Sequence, residues 1–138
     1  MKEENCIFCR IAQGEIPAEG VYEDDSFKVI LDLAPASRGH MLVLPKAHFR
    51  DLSQADETTL GKAFYLAGRL GEAAKKALGA TGFNVLANTG ESAGQTVFHL
   101  HVHVIPRFDG DGRMVSWNPG VSDPDQQREV AAALSKAL

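Results

Sequence analysis

Apolar and polar positions follow two periods along this chain, and the changes between them mark out its elements. Cys6 to Gln13 places Ile7, Phe8 and Ile11 on one side of a short helix, which Gly14 and Pro17 end. Val21-Tyr22-Glu23 and Phe27-Lys28-Val29-Ile30-Leu31 flank an Asp24-Asp25 turn and read as an antiparallel hairpin. His40-Met41-Leu42-Val43-Leu44 is almost wholly apolar and closed by Pro45, the pattern of a central strand buried on both faces. Ser53 is placed as an N-cap, with Asp56 at the capping-box position. From there Leu60, Phe64, Ala67, Leu70, Ala74 and Leu78 recur at three- and four-residue spacing, and Gly79 stops the run. Gly61, Gly68 and Gly71 either weaken this long helix or mark close packing. Phe83 to Ala87 is another strand, and a loop of small residues, Asn88 to Thr96, leads out of it.

The next stretch carries the chemistry. His99, His101 and His103 alternate with Leu100, Val102 and Val104. On a β-strand, which rises about 3.3 Å per residue, the three imidazoles stand on one face roughly 6.6 Å apart. Phe98, Leu100, Val102 and Val104 then cover the other face. Beyond Arg107 the pattern fades through Asp109-Gly110-Asp111-Gly112 and Trp117-Asn118-Pro119-Gly120, and an Ala/Leu-rich helix begins at about Asp123. With no repeat or linker, the order of elements predicts one α+β domain over residues 1–138, built on an antiparallel sheet.

Composition narrows the function classes. The net charge is −4 with no basic stripe, which argues against a dedicated nucleic-acid surface but leaves room for a small phosphate ligand. No apolar run suits a signal peptide or a membrane span, so a cytoplasmic protein with no membrane partner is expected.

Three histidines in register beside a Gly-rich loop are hard to explain as solvated surface residues. Two chemistries fit them: metal binding by two or three imidazoles, or one imidazole attacking phosphorus while its neighbours hold the oxygens. Gly90 and Gly94 let backbone N–H groups approach an anion, and Asn88, Gln95 and Thr96 add side-chain donors, which favours the second. Cys6 and Cys9 form a Cys-x-x-Cys pair, readable as two buried small residues, as half of a tetrahedral metal site, or as a redox pair. The redox reading lacks a βαβ context.

His99 to Ile105 matches in full the His-φ-His-φ-His-φ-φ pattern (φ apolar) of the histidine triad, or HIT, superfamily. The resemblance extends to Ile7-Phe8, Glu15 to Ala18, Tyr22 to Asp24, Asp32, His40 to Lys46, Asn88 and Gly94 to Val97, and covers about residues 5–120. The remainder, about 121–138, is a helical tail. The sequence most resembles the Hint-like branch that carries an N-terminal Cys-x-x-Cys zinc site.

That resemblance implies a HIT-like fold: about five antiparallel strands, a long central helix and a short N-terminal one, assembled as a homodimer. It implies a hydrolase or transferase that cleaves purine nucleoside 5′-phosphoramidates through a nucleotidyl-histidine intermediate. A dinucleoside polyphosphate hydrolase, or a nucleotide-binding interaction protein with incidental turnover, are the alternatives. His101 would be the nucleophile, with His99 beside it. His103 would contact the α-phosphate, and its backbone carbonyl would hold the tautomer of His101. His40 would support the triad by hydrogen bonding. Asn88, Gly94, Gln95 and Thr96 would serve the phosphate and leaving group, Asp32 the ribose hydroxyls, and Ile7, Phe8, Ile11 and Leu33 the purine. Cys6, Cys9, His48 and His99 would hold a structural zinc, with no catalytic metal required. Trp117 would reach the partner subunit's site, although Asn118 stands where the branch has Pro.

Overall fold

The structure is a computed structural model that describes residues 3–112 and 116–138. Its elements in order are α1 (Ile7–Ala12), β1 (Gly20–Glu23), β2 (Phe27–Leu31), β3 (Met41–Pro45), α2 (Glu57–Leu78), β4 (Gly82–Leu86), β5 (Val102–Arg107) and α3 (Pro124–Ala137). The strands form one antiparallel sheet in the order β1-β2-β3-β5-β4. The α+β class, the strand count and the long and short helices therefore agree with expectation.

The two-residue period sorts the side chains onto two faces. Phe27, Val29, Met41, Val43, Val102 and Val104 pack under α2, against Ala63, Leu66, Ala67, Leu70 and Ala74. On the opposite face Ile30, Leu42 and Leu44 meet Phe8 and Ile11 of α1. β3 is buried along its whole length, as a strand covered on both faces must be. The glycine question in α2 divides: a Cβ on Gly71 would collide with the Phe83 ring, whereas Gly61 and Gly68 have nothing within 4 Å. Only Gly71 marks close packing.

Two boundaries differ from the sequence reading. α2 is capped by Asp56, whose carboxylate accepts the Thr59 N–H, and Ser53 sits instead in a short 3-10 turn, Leu52–Gln54. The Asp51 carboxylate takes both the Ser53 N–H and its hydroxyl at 2.9 and 2.6 Å, which closes that turn and leaves Ser53 nothing to cap with.

The second difference concerns the triad. β5 begins at Val102, so of the three histidines only His103 lies in the ladder, paired with Leu42 of β3 and Leu86 of β4. Continuing the register would set Leu100 opposite Pro45, which has no N–H to give. The chain peels away there, and the Leu100 N–H goes to the Phe49 carbonyl at 2.7 Å.

Candidate active site and metal centre

The sheet face that carries α1 also carries a cavity of about 310 Å³. Its floor comes from the outward positions of β2 and β3, Ile30 and Leu42, and its walls from Ile7, Phe8, Ile11, Leu33 and Val97. Asp32, Thr96, His101 and His103 supply most of the polar lining, and no Lys or Arg among the described residues takes part. The segment Ile16 to Glu19 closes one side. The sequence reading gave Ile16, Ile30 and Leu42 no place in a site, although the position of Ile30 and Leu42 on the α1 face follows from strand period alone.

Each histidine has its protons assigned by its partners. His101 Nδ1 lies 2.7 Å from the His99 carbonyl oxygen, which can only accept, so Nδ1 carries the proton and Nε2 keeps its lone pair. This corrects the expectation that the His103 carbonyl would hold the tautomer. The chain has left the ladder at His99, so the His99 carbonyl is the one within reach. The edge of the Phe8 ring packs on the His101 imidazole with centroids 5.0 Å apart. His40 sits just before β3 and is buried. Its Nδ1 accepts the Ala36 N–H at 2.9 Å, which leaves its proton on Nε2. That Nε2 is 2.9 Å from His103 Nδ1 and donates to it, so His103 in turn carries its own proton on Nε2. An N–H of the Ala36 peptide thus decides, through His40, what His103 offers the cavity.

Burial shapes the electrostatics. It pushes His103 down to about 4, with His101 and His40 adding to the effect and Asp32 opposing it. It also lowers His101, against the opposing hydrogen bond to the His99 carbonyl and the charge of Asp32, and lowers His40 against Asp32. The imidazoles are therefore neutral at neutral pH, the state in which His101 has a lone pair for attack. Asp32 Oδ1 accepts the Ala34 N–H at 2.8 Å, and its Oδ2 stands 3.6 Å from His40 Nε2.

The loop residues separate. Thr96 lines the cavity; Asn88, Gly94 and Gln95 do not. Asn88 is half-buried next to Gly94, whose φ of +94° favours glycine. Gln95 is buried with every donor engaged: Nε2 donates to the Arg50 and Val97 carbonyls, and its backbone N–H to Gly90. Trp117 is 79% exposed.

A second constellation lies at the other end of the triad segment. Cys6 caps α1 and its sulfur accepts the Cys9 N–H, so the first turn of the helix holds both sulfurs. His99 Nε2 is 2.8 Å from the Pro45 carbonyl, which fixes the proton there and turns the Nδ1 lone pair toward the cysteines. Nδ1 of His99 lies 3.4 Å from Cys6 Sγ, 3.5 Å from Cys9 Sγ and 3.2 Å from His48 Nδ1, and His48 Nδ1 is 3.3 Å from Cys9 Sγ. Tetrahedral zinc with bonds of about 2.05 Å to nitrogen and 2.3 Å to sulfur needs edges of about 3.3 Å N–N and 3.6 Å N–S. The four side chains fit that tetrahedron. Burial pushes the Cys9 thiol up from its usual range, a cost that a coordinated cation removes.

Asp32, His40 and His103 also cluster within 4.8 Å. There the proton assignment speaks for a relay, since the Ala36 N–H points into His40 Nδ1 and the opposite nitrogen is protonated.

The HIT domain model matches residues 13–110. The chain belongs to the HIT family. It is 36% identical over 138 residues to Protein hit of Bacillus subtilis, covering 98% of this chain and 95% of that one. Adenylylsulfatase HINT3 of Arabidopsis thaliana is 39% identical over 109 residues, which are 79% of this chain and 55% of that protein. A Zn-bound histidine triad family protein from Mycobacterium smegmatis has a crystal structure that superposes with a TM-score of 0.76 at 40% identity, covering 96% of this chain and 95% of that one. Among the described residues no helix is long and apolar enough to cross a membrane.

Proposed function

We propose that this HIT protein is a nucleotidyl hydrolase that cleaves purine nucleoside 5′-phosphoramidates through a covalent nucleotidyl-His101 intermediate. The observation that carries the reading is the 2.7 Å contact of His101 Nδ1 with the His99 carbonyl, which leaves Nε2 unprotonated in a residue that lines the cavity. Ile7, Phe8, Ile11 and Leu33 receive the purine, and Asp32 the ribose hydroxyls. His103 Nε2–H and Thr96 meet the phosphate oxygens, with Asn88 and Gly94 shaping the loop behind them.

His101 Nε2 attacks phosphorus and the P–N bond to the amine breaks, the amine nitrogen taking a proton from solvent water as it leaves. Water then cleaves the P–Nε2 bond, releasing the nucleoside monophosphate and returning the lone pair. Hydrogen-bond donors answer the developing charge in both steps. The adenylylsulfatase name of the Arabidopsis relative supports an adenylyl group as the transferred moiety and tolerance in the leaving group. Dinucleoside polyphosphate hydrolysis differs only in that leaving group, and rates on an adenosine phosphoramidate and a diadenosine polyphosphate separate the two.

Cys6, Cys9, His48 and His99 hold a structural zinc in this reading; the tetrahedral fit and the Zn-bound relative support it. The ion would tie α1 to the triad segment. A homodimer completes the site through Trp117, whose exposure, with that of Val130 and Leu134 on α3, accords with burial by a second copy. The free Cys6 and Cys9 accord with the reducing cytoplasm. The deciding test is to quench the enzyme with nucleotide-labelled substrate and look for label on His101. Wild type should trap it and His101→Ala should not; label persisting in the variant overturns the assignment.

A further inference from the structure

Gln95 is 3% exposed, and its amide does something other than face a ligand. Its Oε1 accepts the Gly90 N–H at 2.9 Å while its own N–H donates to the Gly90 carbonyl at 3.1 Å, which closes the loop Gly90–Gln95 on itself. Its Nε2 then reaches across to the Arg50 carbonyl at 2.9 Å. Arg50 lies two residues after His48, and between them the Phe49 carbonyl accepts the Leu100 N–H, one residue after His99. The Arg50 guanidinium also stacks over Phe98 at 4.4 Å. Segment 48–50 and segment 95–100 are thus laced together, with His48 and His99 of the candidate metal cluster at one end of the lacing and, at the other, the Gly90–Gln95 loop that leads into Thr96 of the cavity.

We propose that Gln95 is a positioning residue that couples the metal centre to the phosphate loop, so that metal and nucleotide each tighten the binding of the other. A metal that fixes His48 relative to His99 fixes the Arg50 carbonyl relative to the loop. The loop needs such an anchor because Gly90 and Gly94 both adopt positive φ and the intervening Glu91, Ser92 and Ala93 are exposed. Ordering supplied by one ligand is ordering the other need not supply, and the linkage is reciprocal. This rests on the nucleotide reading given above.

The test uses the full-length protein loaded with zinc, adenosine 5′-monophosphate as nucleotide, and a chromogenic chelator that competes for the metal. In wild type, saturating nucleotide should tighten zinc by about fivefold or more, within the usual range of such couplings. Zinc should tighten the nucleotide by the same factor. Gln95→Met keeps the length and removes the amide, and Gln95→Glu keeps only the tie to Gly90. Both should bind zinc yet lose the nucleotide effect. In cobalt-loaded protein the nucleotide should perturb the visible metal bands of wild type and not those of the variants, a readout that a general loss of stability does not mimic. Nucleotide that binds wild type with no change in zinc affinity overturns the coupling, whether or not the variants fold. Coupling that survives undiminished in either variant overturns the role of Gln95. Nucleotide that fails to bind the zinc-loaded protein overturns the nucleotide reading itself, a distinct and separately visible result.

Discussion

His40→Phe tests whether the proton on His103 is set by its neighbour. The substitution keeps an aromatic ring in a site that is 5% exposed and removes one donor, His40 Nε2–H, and one acceptor, Nδ1. Without that donor at 2.9 Å, His103 is free to move its proton to Nδ1 and turn a lone pair toward the phosphate. The upper limit of the effect is loss of one oxyanion donor, about 10²–10³ in rate. The lower limit follows from substrate selecting the productive tautomer, a factor of a few. A loss of kcat/KM between about tenfold and a hundredfold is expected. The distinguishing feature is its pH dependence. His40 is one of the groups that hold His103 down near 4, so its removal lets that value rise. Below the new value His103 is an imidazolium with protons on both nitrogens, and the tautomer no longer matters. Steady-state assays at pH 7 to 8, where His103 is neutral in both enzymes, should show the deficit, and the variant to wild-type ratio of kcat/KM should climb as pH falls through the raised His103 value, although both enzymes lose rate as His101 protonates. A ratio near one at neutral pH refutes the relay.

Three further outcomes follow from the packing and the metal centre. Cys9→Ser, or exhaustive chelation of wild type, should lower Tm by more than about 10 °C, because metal binding energy of several kcal/mol is folding energy here; an unchanged melting curve would remove the structural role of the metal. His103 has a folded value near 4, below the unfolded value of 6.5, so the unfolded chain binds more protons between those limits. Stability in urea should accordingly fall as pH drops from about 6.5 to 4, and a midpoint that rises over that window contradicts the buried neutral imidazole. Gly71→Ala should destabilise by about 1–3 kcal/mol, since its methyl meets the Phe83 ring, while Gly61→Ala should be neutral or stabilise by up to about 1 kcal/mol; calorimetry of the pair checks both signs.

What the sequence could and could not convey follows the range of the interaction. Face assignment is a local property of strand period, and Val102 and Val104 do face α2 while His103 faces the cavity. The cluster of Cys6, Cys9, His48 and His99, which could hold a metal, was legible because tetrahedral coordination calls for a small set of residue types. The start of β5 was not, because it depends on Pro45 lying opposite Leu100, a pairing 55 residues apart in the chain that no local pattern contains. Gln95 misled for the same reason. A glutamine in a Gly-rich loop looks like an anion ligand until the Arg50 carbonyl, 45 residues earlier, is seen to occupy its amide. The origin of the His101 tautomer was misassigned because two carbonyls, those of His99 and His103, lie equally near in sequence and only the backbone path distinguishes them.

That path also explains why the triad cannot be one continuous strand. A carbonyl inside a ladder between two neighbours is spent on the sheet, as those flanking His103 are. His99 lies outside the ladder, and its carbonyl accepts the His101 Nδ1–H. There the Pro45 carbonyl fixes the Nε2 proton of the His99 ring and aims its Nδ1 at the cysteines. Pro45 thus acts twice: its missing N–H favours the break in the ladder, and its carbonyl orients the imidazole that faces the cysteines. In this arrangement the His99 carbonyl is the acceptor that keeps the His101 proton on Nδ1 and leaves Nε2 unprotonated.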